Sequence, residues 1–422
     1  MNGHERHTGG VILLHSMQRS HHGLFQLAVI VSALGFFVDV YDLLLFSIVR
    51  KPSLVDLGLS PEMVQTRGEW IISMQMIGLL LGGILWGTLG DKRGRRSVLF
   101  GSILLYSIAT LLNGFVTNDV QYAWARFVAG IGLAGELGAG VTLVSELLPK
   151  EKRGLAAAFI AAFGVLGAVT AFVLKELFDW RACYYIGGGL GLLLLTMRVS
   201  LPESALYREM AASGAPRGNF LLFFTDRRRL LRYLRCILIG VPTWYVIGVL
   251  VTFADKFGEA LGIPGIDPGR AILYQYGGLL LGDVTVGLLS QRWRSRKKPL
   301  FLFYGITAVF CALFFLQHGG SPTLFYLICA GLGFGTGFTV VYITLSAEQF
   351  GTNLRATAAI TVPNMVRGAL PLIILLFKGL RSVSDSFLLG GALTGAVLLA
   401  IALWSALGLE ETFGKELDHI ER

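Results

Sequence analysis

Twelve apolar stretches, each about 20 residues long, run through this chain of 422 residues. A helix needs ~20 apolar residues to cross a ~30 Å hydrocarbon core, whereas a barrel strand needs about half that length and alternates in polarity. These runs do not alternate. The chain is therefore expected to be an all-α membrane protein with twelve transmembrane helices. They begin near Leu24, Glu69, Ser97, Tyr122, Leu155, Ala182, Tyr233, Ala271, Pro299, Thr323, Ala356 and Ser386. Charged residues make up 15% of the chain, against roughly 25% in soluble proteins, and the short connections hold no sizeable soluble domain.

Of the 36 Lys and Arg residues, 25 fall in the termini and even-numbered connections and nine in the odd-numbered ones. The positive-inside rule then places both termini in the cytoplasm, and the chain is expected in the plasma (inner) membrane. The net charge of +9 thus describes orientation, and no nucleic-acid partner is expected, because the basic residues are dispersed over one face. Cys183, Cys236, Cys311 and Cys329 lie in or beside spans without paired spacing and read as packing residues. The polar, His-containing start is expected to be a tail, without a removed signal peptide and without a metal site.

The chain repeats itself at an offset near 200 residues. The run from Gly87 through Gly90, Asp91 and Arg95 to Arg96 follows the second span, and the run from Gly287 through Gln291 and Ser295 to Arg296 follows the eighth. Glu146 with Arg153 after the fourth span is matched by Glu348 with Arg355 after the tenth. Repetition of this kind predicts two pseudo-symmetric six-helix bundles with a cavity between them. The expected divisions are a tail at 1–23, bundles at 24–198 and 233–408, a cytoplasmic linker at 199–232 containing Arg227, Arg228 and Arg229, and a tail at 409–422.

The Gly87 to Arg96 run resembles the signature loop of the major facilitator superfamily. The two Glu/Arg pairs and Leu201-Pro202-Glu203-Ser204 resemble elements of its sugar-porter-like branch. The resemblance covers nearly the whole chain and implies a secondary transporter working by alternating access, driven by a proton gradient without a cofactor and functional as a monomer. It also implies a cytoplasmic gate at Gly87, Gly90, Asp91, Arg95, Glu146, Arg153, Glu348 and Arg355. The second loop departs from the first at Gln291 and Ser295, which favours the N-terminal copy as the latch.

Ionisable residues within spans are expensive to insert and mark ion or solute paths. Asp39 and Asp42 share one face of the first span, while Arg126 and Glu136 are about three turns apart on the fourth. Several acids beside one Arg can exchange protons as a cavity opens, because a cation favours ionisation and burial opposes it. Tyr41-Asp42 and Arg126 resemble the acid and arginine of proton-coupled sugar porters, and Gly130 to Glu136 resembles a segment of phosphate and metabolite symporters. A static Asp42–Arg126 bridge is the competing reading.

Arg367 lies near the middle of the eleventh span between Pro363 and Pro371, where a planar guanidinium suits a carboxylate or phosphate. An internal pairing with Asp283 is the alternative. Gln75, Trp244, Tyr245, Tyr274, Gln275 and Asn364 are further candidate substrate contacts. The fifth span lacks the Gly-Pro element of superfamily antiporters, and Gly248 stands where phosphate porters carry an acid. The expectation is proton-coupled symport of a small organic anion or related metabolite. A sugar, polyol or phosphate symporter, an exporter and a non-translocating nutrient sensor are the other readings. No nucleophile elbow, phosphate loop or metal motif points to an enzyme.

Overall fold

The structure is a computed structural model that describes the backbone of residues 5–93, 95–147, 150–198 and 220–414. Side chains are described in these segments except at 5–28, 87, 90–93, 95–97, 99, 136–147, 150–159, 161–162, 198, 352–353, 356 and 360. The helices form twelve passes. The first six are Glu5–Asp56, Pro61–Arg93, Arg95–Asn113, Asp119–Leu147, Lys150–Leu177 and Trp180–Arg198. The eighth, ninth and twelfth are Pro268–Trp293, Lys297–Leu316 and Phe387–Leu407. Among the described residues, eight stretches are long and apolar enough to cross a membrane.

Among the described residues, three passes are broken. The seventh runs through Arg227–Leu238, Val241–Tyr245, a π-helical turn at Val246–Val251, and Ala254–Ala260. It begins at Arg227 rather than near Tyr233, because Asp226 caps it by accepting the Arg229 amide, and the Arg229 guanidinium is spent on Leu222 O and Thr225. Three consecutive arginines thus open a helix, with Arg227 and Arg228 exposed and Arg229 buried. The tenth divides at Gly337 into Pro322–Thr336 and Thr339–Glu348. The eleventh divides at Ala369 into Thr352–Gly368 and Leu370–Ser384, because Pro371 has no amide to continue the ladder.

Close helix approach repeats at the 200-residue offset. A Cβ on Gly78 or Gly82 would strike the Phe127 and Ile131 carbonyls of the fourth span, and one on Gly278 or Gly282 would strike the Ala330 and Phe334 carbonyls of the tenth. Gly130 lies against Gln75 O as Gly333 lies against Gln275 O. Small residues let backbones meet where lipid supplies no hydrophobic drive, so dispersion contacts hold these pairs. Between the bundles the second span packs on the eleventh and the fifth on the eighth. These pairings exchange under a half-chain shift, as a two-fold arrangement requires.

The first and seventh spans meet along that axis. Thr252 Oγ1 donates to Ser47 Oγ at 3.3 Å, and Arg50 Nη2 donates to Asp255 Oδ1 at 2.7 Å. Both pairs are 205 residues apart, so each joins a position to its own counterpart in the other half.

Candidate functional site

The fourth span carries Arg126 into the interior of the N-terminal bundle, where it is 0% exposed and Asp42 1%. Arg126 Nη2 donates to Asp42 Oδ2 at 2.7 Å and Nη1 to Oδ1 at 3.4 Å, a forked pairing. Thr110 adds a hydroxyl donor to Oδ1 at 2.8 Å. The Tyr184 ring lies 5.5 Å from the guanidinium, and its hydroxyl shares a 2.6 Å hydrogen bond with Tyr122. Charge-assisted, multiply bonded pairs of this kind hold a buried carboxylate in one orientation.

Asp39 goes elsewhere, which corrects the expectation of several acids around Arg126. Arg367 Nη1, from the other bundle, stands 3.4 Å from Asp39 Oδ2. The carboxylate is fully buried and the guanidinium 7% exposed. Each bundle thus contributes one member of a mid-depth pair. Trp244 places its ring 5.9 Å from the Arg367 guanidinium, and Tyr276 and Tyr342 are within electrostatic reach of it. Asn364, one turn before Arg367, reaches across the bundles to donate to Ala134 O at 3.1 Å. The alternative pairing of Arg367 with Asp283 is replaced by a structural role. Asp283 Oδ1 accepts the Thr339 and Val340 amides at 2.6 and 3.3 Å, capping the second half of the broken tenth span.

Trp244, Arg367 and Asp39 therefore come together, with Asn364 one turn before Arg367 on the same helix, and the other candidate contacts do not join them through a described bond. Gln75 donates to Leu43 O at 3.3 Å and ties the second span to the first. Tyr245 is buried with its hydroxyl on Gly391 O at 2.7 Å, inside the C-terminal bundle. Tyr274 is 37% exposed and stacks on Tyr326. Gln275 is fully buried with neither amide atom partnered. The side chains of Glu136, Asp91, Arg95, Glu146 and Arg153 lie outside the described residues, and at Gly87 and Gly90 only the helical backbone is described.

At the face carrying the even-numbered connections, Glu348 meets Arg296 of the second basic loop at 3.0 Å and accepts from Thr412 at 2.6 Å. Arg355, seven residues on, is half-buried. The segment after the twelfth span supplies a carboxylate to the loop that has Gln291 in place of an acid. Glu411 accepts from the Ser295 hydroxyl and from the Arg296 and Lys297 amides at 2.8 and 3.1 Å, capping the ninth span. Burial raises the Glu411 carboxyl, but these bonds and the Phe413 amide outweigh it and hold it down at about 2.

The opposite face, carrying the odd-numbered connections, is bridged between bundles by charges that read in sequence only as topology markers. Arg50, paired with Asp255, also donates to Gln65 Oε1 at 3.5 Å, and Gln65 donates to Glu69 Oε1 at 2.7 Å. Glu69 then meets Lys378 at 2.9 Å and Arg381 at 3.3 Å on the eleventh span. Lys175 and Asp267 bridge the fifth and eighth spans at 2.8 Å. Glu69 lies within the second helix, which starts at Pro61, and not at its boundary.

A family model described as Major Facilitator Superfamily matches residues 27–374. Two proteins of Acinetobacter baylyi are similar over most of their length. The niacin transporter NiaP is 26% identical, covering 92% of this chain and 95% of that protein. The benzoate transport protein is 30% identical, covering 78% of each. Among solved structures, the D-xylose-proton symporter is similar in fold, with a TM-score of 0.70 at 18% identity over 92% of this chain and 99% of that one.

Proposed function

Because this chain belongs to the Major Facilitator Superfamily, we propose that it is a proton-coupled symporter of a small organic anion, with an aromatic or heteroaromatic monocarboxylate as cargo. The observation that carries this reading is the Asp39–Arg367 pair, formed between the bundles at mid-depth beside Trp244. An ionised Asp39 occupies the guanidinium that a substrate carboxylate needs. A proton on Asp39 frees Arg367, the carboxylate takes its place, and proton and anion are bound together. The indole of Trp244 and the phenols of Tyr276 and Tyr342 offer flat surfaces to an aromatic ring. The carboxylates that niacin and benzoate transporters handle fit this chemistry.

In this reading the odd-numbered connections face outward and both termini lie in the cytoplasm of a cell with this chain in its inner membrane. Arg50–Asp255, Lys175–Asp267 and Glu69–Lys378 join the bundles on the outward face, which fits an outward-closed conformation. Glu136 and the Asp42–Arg126 pair form a second proton-handling centre. Gly87, Gly90, Asp91 and Arg95, with Glu146, Arg153, Glu348 and Arg355, latch the cytoplasmic side in the opposite conformation. The protein works as a monomer, without a cofactor.

The test is uptake of labelled nicotinate and benzoate into proteoliposomes with an imposed inward proton gradient, with and without a protonophore. Accumulation above equilibrium, abolished by the protonophore and absent for xylose, is expected. Accumulation that ignores the gradient removes proton coupling. Binding without any uptake would make the protein a sensor.

A further inference from the structure

Glu69 is a carboxylate already bound as a ligand would be. Its side chain is 0% exposed, and it collects Gln65 Nε2 at 2.7 Å, Lys378 Nζ at 2.9 Å and Arg381 Nη1 at 3.3 Å. Two cations serve one anion here, while neighbouring Arg50 and Asp255 balance each other. Lys378 and Arg381 are 35% and 28% exposed, whereas their shared partner is 0% exposed. Arg381 also lies 5.3 and 5.5 Å from the rings of Phe377 and Phe387. A site with two cations beside aromatic faces is suited to an aromatic carboxylate. It stands about three to four helical turns from Arg367 along the same span.

We propose that Lys378 and Arg381 form an outer carboxylate-binding site, which Glu69 occupies as an intramolecular stand-in while that face is shut and which the incoming substrate anion takes over as it opens. The inference rests on the proposed carboxylate cargo. Displacing Glu69 breaks the bridge between the second and eleventh spans, so arrival of the anion and loosening of the outward seal are one event. Arg367 then receives the same carboxylate deeper in the same span.

The experiment measures KM and kcat for benzoate uptake in proteoliposomes made only of zwitterionic lipid. Glu69→Gln, Lys378→Gln and Arg381→Gln are each built on wild type and on Thr252→Cys. Thr252 is buried in the seal, and the four native cysteines are buried, so an impermeant maleimide reports opening. All three substitutions weaken the bridge and are expected to speed labelling. They part over substrate: KM falls about tenfold in Glu69→Gln, where nothing has to be displaced, and rises about tenfold in Lys378→Gln and Arg381→Gln. A purely structural latch moves KM the same way in all three, and that result overturns the proposal. Labelling sped by anionic lipid with no benzoate present also overturns it, assigning the cations to headgroup phosphates. Absence of wild-type uptake of benzoate and nicotinate overturns both this proposal and the cargo it rests on, whereas same-signed KM shifts with wild-type uptake intact overturn this proposal alone.

Discussion

Asp39→Asn is the sharpest test of coupling because it preserves size and removes only the charge that competes for Arg367. The ion pair is 3.4 Å long. With an effective dielectric of about 20, attraction at that distance is about 5 kcal/mol. Resolvation of the freed guanidinium offsets much of it, leaving about ten- to a hundredfold in substrate affinity, or ~1.4–2.8 kcal/mol. The sign follows from the competition. In wild type, substrate affinity falls as pH rises, because ionised Asp39 reclaims Arg367; in Asp39→Asn it is tighter and flat with pH. Accumulation against a gradient is lost, while exchange of labelled for unlabelled anion persists. Calorimetric titration with benzoate at several pH values, paired with uptake and counterflow, reads all of these. An Asp39→Asn protein that keeps wild-type pH dependence of binding, or that still concentrates substrate, refutes the competition.

Asp42→Asn strands Arg126 in a site with 0% exposure, and the thermal midpoint should drop by an amount equivalent to about 3–5 kcal/mol, partly restored by adding Arg126→Gln. Tyr245→Phe removes one hydrogen bond to Gly391 O; thermal unfolding should show a loss of about 1 kcal/mol with KM unchanged. Gly278→Val drives a side chain into the Ala330 carbonyl, so the yield of monodisperse protein by size-exclusion chromatography should collapse, as for Gly78→Val at the matching site. For Glu411, whose carboxyl is held at about 2 instead of the usual 4.5, the stabilising contribution is present above pH 4.5 and lost as pH falls toward about 2. The difference in melting temperature between wild type and Glu411→Gln should close over that interval.

The spans and the two-bundle repeat are legible in sequence because hydropathy and the Gly-rich periodicity are local properties. So is the suspicion that falls on Asp39, Asp42, Arg126 and Arg367, since charge at membrane depth is conspicuous wherever it pairs. The pairing itself is not legible. Asp39 and Arg367 are 328 residues apart, and nothing in either neighbourhood distinguishes that partnership from Arg367 with Asp283. Asp283 resolves only when the break at Gly337 exposes two amides needing an acceptor. Glu69, Lys378 and Arg381 escape notice for a different reason. Charges near span ends are normal anchors, and only tertiary packing turns three of them into a bridge. Arg229 is the converse, a charge in an apparently solvated run whose helix start consumes its donors.

The contact of Arg50 with Asp255 has an implication for how such a molecule is put together. A residue sitting on a two-fold axis always confronts its own duplicate. Were the carrier assembled from two identical six-helix chains, a guanidinium there would face a guanidinium, and a carboxylate a carboxylate, with no water to separate them. Attraction at that spot demands unlike side chains, which one continuous peptide supplies once its halves have drifted apart. Joining the halves therefore does more than keep them together. It makes possible a fastening that neither half could form with a copy of itself.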